Sequence, residues 1–145
     1  MNAYLIVAHR TLVGDHLLDH VRTMGADEPE ECRFHLVVPV THPRGAWSDG
    51  EVESAARAKL DEGLAAFARA APGAEITGEI GDANPVYATA AALRADPDAG
   101  WSGIIVSTLP PGVSRWLGLD AVSRIKREFD LPVTHLVATR VEADA

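Results

Sequence analysis

Residues 107–121 read STLPPGVSRWLGLDA and follow the apolar run WSGIIV. A strand, a loop and a helix in that order form the place where α/β proteins hold nucleotide phosphates, because the first helical amides point at the anion. That chemistry needs backbone N–H groups at close approach, which glycine permits and proline does not. Here Pro110 and Pro111 remove two donors, leaving Gly112 with the hydroxyls of Ser107, Thr108 and Ser114 and the guanidinium of Arg115. Asp120 is expected to cap the next helix, so that its carboxylate takes the positive helix end a phosphate would use. Two like charges about 4 Å apart cost roughly 1 kcal/mol in water and about 4 kcal/mol in a partly buried site. The loop is poorly equipped for a triphosphate.

Other residue types raise their own chemistry. His9 and Arg10 end the first apolar run, beside Ala8 and Thr11, and with Arg115 across a cleft they would make a local cationic site for a small anion. The alternative places both arginines in solvent, paired with surface carboxylates. His9 could serve as acid or base, yet no second catalytic group accompanies it, and the chain is read as non-enzymatic. In HLLDH, His16 and His20 stand one helical turn apart, as two zinc ligands would, with Asp19 in the acidic place. They flank an apolar stripe and lack a third ligand, so they are read as solvated histidines with no metal. Ser107 and Ser114 show no His/Asp arrangement and no G-x-S-x-G elbow. Cys32 has only Arg33 as a basic neighbour and reads as inert.

The elements that must position these groups alternate along the chain. Tyr4–His9 is a short apolar run suited to a strand buried on both faces. Leu17, Leu18, Val21 and Met24 recur at helical spacing, with Gly25 as the stop. Phe34–Val40 is the second strand, and Glu51–Ala71 a long helix with the stripe Val52, Ala56, Leu60, Leu64, Phe67 and Ala71. Its Glu53 and Arg57 are spaced to pair on the outer face. Pro72-Gly73 breaks it, Ala74–Ile80 is a third strand, and Asn84 with Pro85 opens the third helix. Trp101–Val106 is the fourth strand, Val113–Phe129 contains the fourth helix, and Leu131–Ala138 is the fifth strand.

Such alternation predicts a single domain over 1–145, a three-layer α/β/α sandwich on a five-stranded parallel sheet of flavodoxin-like or Rossmann-like order 3-2-1-4-5. The topological switch then falls between strands one and four, and ligands bind outside their carboxyl ends. Ala8, His9, Arg10 and Thr11 would line one side, and Ser107 with its loop the other. The long connection Thr41–Gly50, carrying Trp47, is placed to fold over the crevice. Trp101 is expected to pack at its strand's entry, and Trp116 to anchor the turn before the helix rather than close the pocket.

Bulk properties narrow the partners. The chain has 145 residues, 47% hydrophobic and 23% charged, as in an ordinary globular domain. A net charge of −8 opposes a nucleic-acid or anionic-membrane surface. The single cysteine excludes an intrachain disulfide and suits a reducing compartment. No apolar run is long enough for a signal peptide or a bilayer span, so the expected location is cytoplasmic. The apolar last strand, Leu131, Pro132, Val133, Thr134, His135, Leu136 and Val137, would lie at a sheet edge and invite a second chain.

IIVSTLPPGVSRWLGLDAVS, with FDLPVTHLV downstream, resembles the universal stress protein family over nearly the whole chain. Its ATP-binding members carry G-x-x-G, nine residues, then G-S or G-T, in segments close to VVGTHGRSGLSRLLLGSVA. The shared G-[LV]-S-R is Gly112–Arg115, and the shared PV is Pro132-Val133. The signature glycines fall on Ser107 and Pro110, and the closing Gly-Ser on Leu119-Asp120. The acidic Thr-Asp-Gly-Ser ending of the first strand is Ala8-His9-Arg10-Thr11 here. The resemblance implies a non-catalytic stress-response or regulatory protein, homodimeric through the last strand, without ATP bound in the usual family manner. Its alternative keeps an adenine nucleotide, with adenine near Val40 and Ala8–Arg10, and Arg10 or Arg115 replacing lost amides. A third reading is a small-molecule enzyme in the same cleft.

Overall fold

The computed structural model describes residues 2–8, 11–40, 48–108 and 119–137. Strands β1 (Asn2–Val7), β2 (Cys32–Pro39), β3 (Glu75–Gly81), β4 (Trp101–Thr108) and β5 (Val133–Val137) alternate with helices α1 (Asp15–Met24), α2 (Asp49–Ala70), α3 (Pro85–Ala95) and α4 (Leu119–Glu128). A short 3₁₀ turn, Pro29–Glu31, precedes β2. The strands form one sheet of order β3-β2-β1-β4-β5, and every pairing is parallel. This is the α/β flavodoxin-like architecture expected from the alternation.

Side chains of successive strand residues turn to opposite faces, so the central strands feed two cores. On one face Ile6, Ala8, Phe34, Leu36, Val38 and Ile105 pack against Leu17 and Val21 of α1 and Leu60, Phe67 and Ala70 of α2. On the other, Leu5, Val7, Val37, Ile104 and Val106 meet Val86, Ala88 and Ala92 of α3 and Val122 and Ile125 of α4. β1 therefore reads as a continuous apolar run because both its faces are covered. Burying each such leucine, isoleucine or phenylalanine contributes about 1.5–3 kcal/mol.

Local signals set the helix ends. Ser48 caps α2 in a capping box: the Glu51 amide donates to Ser48 Oγ at 3.1 Å, and the Ser48 amide to Glu51 Oε1 at 3.2 Å. Asn84 caps α3, accepting from the amides of Val86 at 2.9 Å and Tyr87 at 3.3 Å, with Pro85 first in the helix as expected. α1 ends at Gly25, whose amide donates to Val21 O at 3.0 Å.

Several details depart from the sequence expectation: β5 begins at Val133, so Leu131 and Pro132 precede it, and β4 runs on through Ser107 and Thr108, which were expected in the loop. β1 and β2 start two residues early, at Asn2 and Cys32, because these pair with one another although Asn2 is exposed and polar. Asp120 is the second residue of α4 as described, not its cap. The ion pair found on α2 is Lys59 with Glu62 at 3.8 Å, rather than Glu53 with Arg57. The 3₁₀ turn carries no apolar period to announce it. Among the described residues no helix is long and apolar enough to cross a membrane.

Candidate functional site

β1 and β4 lie side by side, with Val7 opposite Val106, and from their carboxyl ends the chain turns in opposite directions. Ala8, Thr11, Ser107 and Thr108 all sit there, each at most 5% exposed. Val40 lies one strand over. Its amide donates to Gly81 O at 3.1 Å, and it lines a groove of about 500 Å³ between α2 and β3 with Val52, Glu53, Arg57, Gly78, Glu79 and Ile80. His9, Arg10, Gly112, Ser114, Arg115, Trp47 and Trp116 fall outside the described residues, as does the Asp120 side chain.

Thr11 and Ser107, expected on the two walls of the crevice, touch. Thr11 Oγ1 lies 2.7 Å from Ser107 Oγ. A third group, unforeseen from the sequence, completes the contact: His16 Nε2 stands 2.8 Å from the same Ser107 oxygen. His16 is thus not a solvated helix-face residue. It occupies the first turn of α1, which begins just beyond the end of β1, and its ring reaches the end of β4.

Gly14 makes that position possible. Its amide donates to Thr11 O at 3.0 Å, closing the turn between β1 and α1. A Cβ at Gly14 would lie 2.7 Å from Cε1 and 2.8 Å from Nδ1 of His16, so the imidazole occupies the space a side chain would need. Burial pushes the His16 pKa down, and the neighbouring Asp15 carboxylate pulls it partly back up. A neutral ring suits the geometry, since Nε2 can then either accept from Ser107 or donate to it, with the Thr11–Ser107 bond running in the matching sense.

The next residue makes the same kind of bond on the opposite face. Thr108 Oγ1 lies 2.8 Å from His135 Nε2 on β5. Burial lowers the His135 pKa, and the Lys126 ammonium lowers it further. Two neutral imidazoles therefore hold the end of β4, one from each side.

A Ser–His contact suggests nucleophilic chemistry, but Ser107 is 0% exposed and its oxygen is also engaged by Thr11. The hydroxyl is held between the Thr11 and His16 side chains. Among the described residues no group of three or more His, Cys, Asp or Glu side chains is arranged to hold a metal ion. Cys32 is buried beside Met24 O, with Sγ at 3.8 Å; burial and then Glu31, Glu28 and Glu30 push its thiol pKa up, the direction of an unreactive thiol.

A second polar cluster, also unforeseen, spans β2 and β3. His35 Nδ1 lies 2.7 Å from Thr77 Oγ1, and Nε2 lies 2.7 Å from Glu79 Oε2. Arg33 reaches Asp96 at 2.8 Å and Glu75 at 3.1 Å, with its guanidinium 5.5 Å above the Trp101 ring. Trp101 packs at its strand's entry as expected, and its indole donates to Asp96 O at 3.1 Å. The clue in the sequence was the alternation of Arg33 and His35 with Phe34 and Leu36, which marks one face of β2 as partly polar.

No protein-family model matches the chain, and no curated protein matches it. Solved structures do. A hypothetical protein is similar with a TM-score of 0.61 at 14% identity, over 97% of this chain and 99% of that one. A universal stress protein family member from Burkholderia pseudomallei matches with a TM-score of 0.55 at 18% identity, over 92% of this chain and 94% of its own. A universal stress protein in complex with cAMP matches with a TM-score of 0.54 at 15% identity, over 95% and 98%. At these identities the likeness shows the shared fold.

Proposed function

We propose that this chain is a universal stress protein-like regulatory protein, non-catalytic and homodimeric, whose crevice does not grip ATP in the family's usual way. One observation carries the reading. Ser107 stands where the phosphate signature has its first glycine, and its side chain is buried and bonded to both Thr11 and His16. The backbone approach that glycine allows a phosphate is here taken up by a hydroxyl and an imidazole. The near-complete overlap with universal stress protein folds supports the wider assignment.

Dimerisation is assigned to β5, an edge strand of the sheet, where Val137 is 39% exposed. Thermal melts with ATP and AMP, paired with light-scattering mass, test the whole reading. A midpoint that ATP moves by less than about 1 °C at millimolar concentration, in a protein of twice the chain mass, is the expected result. A saturable ATP shift of several degrees, or a monomer at micromolar concentration, would refute it.

The complex with cAMP in one structural neighbour favours a second reading, in which a singly charged adenine nucleotide binds. A single phosphodiester needs fewer donors than a triphosphate. In the same melts a shift with cAMP and none with ATP would select it.

A further inference from the structure

The outer edge of β3 carries features that the crevice does not use. Among the described residues β3 pairs with β2 alone, in unbroken parallel register from Arg33↔Glu75 to Pro39↔Gly81. In a parallel pair a residue turns its N–H and C=O to the same side, and neighbours alternate. Gly81 turns its carbonyl to Val40 on the β2 side. The main-chain groups of Ile76, Gly78 and Ile80 therefore face outward, a row of donors and acceptors to which another strand can be added.

The two sides of that edge differ in chemistry. Toward α2 lies the groove of about 500 Å³ whose apolar wall is Val40, Val52 and Ile80. Toward the opposite face project Glu75 and Glu79, 54% and 38% exposed, with Asp96 at 42% beside them and Asp82 just beyond the strand. Glu75 and Asp96 share the Arg33 guanidinium, and Glu79 has only the His35 imidazole beside it, so carboxylates outnumber cations along that side.

Charge then decides the occupant. A second copy of β3 would set its own Glu75 and Glu79 against these, and like charges facing across strands are destabilising. The same charges favour a strand with cationic residues on one side. We infer that the β3 edge is a docking site for an extended cationic peptide segment, added as a sixth strand, with alternate Lys or Arg side chains over Glu75 and Glu79 and intervening apolar side chains toward the α2 groove. This surface lies apart from the β1–β4 crevice and does not depend on what that crevice binds.

A fluorescein-labelled seven-residue peptide alternating Lys and Val is the direct probe, read by fluorescence anisotropy on the full chain. Three comparisons separate strand addition from attraction to an acidic protein. Methylating alternate peptide nitrogens on the docking side removes the main-chain bonds and should weaken binding at least tenfold. Placing the same residues in two blocks, lysines then valines, should do the same. Glu75→Lys with Glu79→Lys should reverse the preference toward an alternating Glu/Val peptide, whereas Asp27→Lys with Glu128→Lys, equal in charge but placed elsewhere, should change affinity less than threefold. Equal affinity for the methylated, blocked and alternating peptides would overturn the proposal, as would no binding at all. Should the Glu75/Glu79 variant fail to fold, the peptide comparisons on the unaltered chain still decide.

Discussion

Ser107→Ala removes the oxygen on which Thr11 and His16 converge, so its cost follows from the geometry. Two hydrogen bonds, of 2.7 and 2.8 Å, are lost. Each is worth about 1 kcal/mol net, and a buried partner left unmatched costs about 1–3 kcal/mol. Thr11 is 5% exposed and would be stranded, while His16, half-buried, can turn to water. The expected loss is therefore about 2 kcal/mol, which in a chain of 145 residues lowers the melting midpoint by about 6 °C. Thr11→Val alone deletes one bond and leaves Ser107 its partner in His16, so it should cost about 1 kcal/mol. The double variant removes both members of that bond and strands no hydroxyl at Thr11. It should cost no more than Ser107→Ala alone, giving a coupling of about 1 kcal/mol between the sites. Urea unfolding of the four proteins, at pH 7.5 to keep both histidines neutral, measures every term. A Ser107→Ala loss below about 0.5 kcal/mol, the range of ordinary surface substitutions, would refute the network, as would strict additivity in the double variant.

Stability should also fall on acidification. His16 and His135 both have folded pKa values lowered from 6.5, so the native state binds fewer protons than the unfolded chain. Their contribution is full above pH 6.5 and is lost as pH falls from there through the folded values; a His16→Gln/His135→Gln protein should show a flatter pH profile of unfolding free energy below that point. Gly14→Ala should destabilise by about 1–3 kcal/mol, as overpacking does, and displace the His16 ring, visible as a changed imidazole chemical shift. Val137→Lys should weaken the proposed β5 dimer at least tenfold by light scattering, since a symmetric interface would bring the two added charges together. Cys32 should react with a thiol reagent only after denaturation, and fast labelling of the native protein would show the thiol to be accessible.

The layered fold was legible because burial imposes periodicity. Leu5–Val7 of β1 and Ile104–Val106 of β4 are continuous apolar runs for lack of a solvent face, and the stripe from Val52 to Phe67 keeps one side of α2 to the core. Thr11 and Ser107 could be placed across a crevice because topology fixes which strand ends adjoin. His16 could not be read so easily. Its spacing to His20 and the leucines beside it suggest an outer helix face, and only the turn at Gly14, with the ring folded over that glycine, aims it inward. A histidine in the first turn of a helix that follows a central strand, next to a glycine, was the available signal. Arg33, His35, Thr77 and Glu79 meet through β2–β3 register, and pairing partners forty residues apart leave no mark on either segment alone. The starts of β1 and β2 were misplaced for the same reason: Asn2 joins the sheet through its backbone, which hydropathy does not sense.

Ser107 and Thr108 are consecutive, yet one is tied to α1 and the other to β5. The tip of β4 is thereby pinned between the helical layer on one flank and the rim of the sheet on the other. With His16 displaced, Ser107 would keep its bond to Thr11 and Thr108 its bond to His135, so the tip stays tied on both flanks. Two adjacent side chains of one strand thus join the turn before α1 to the β5 edge.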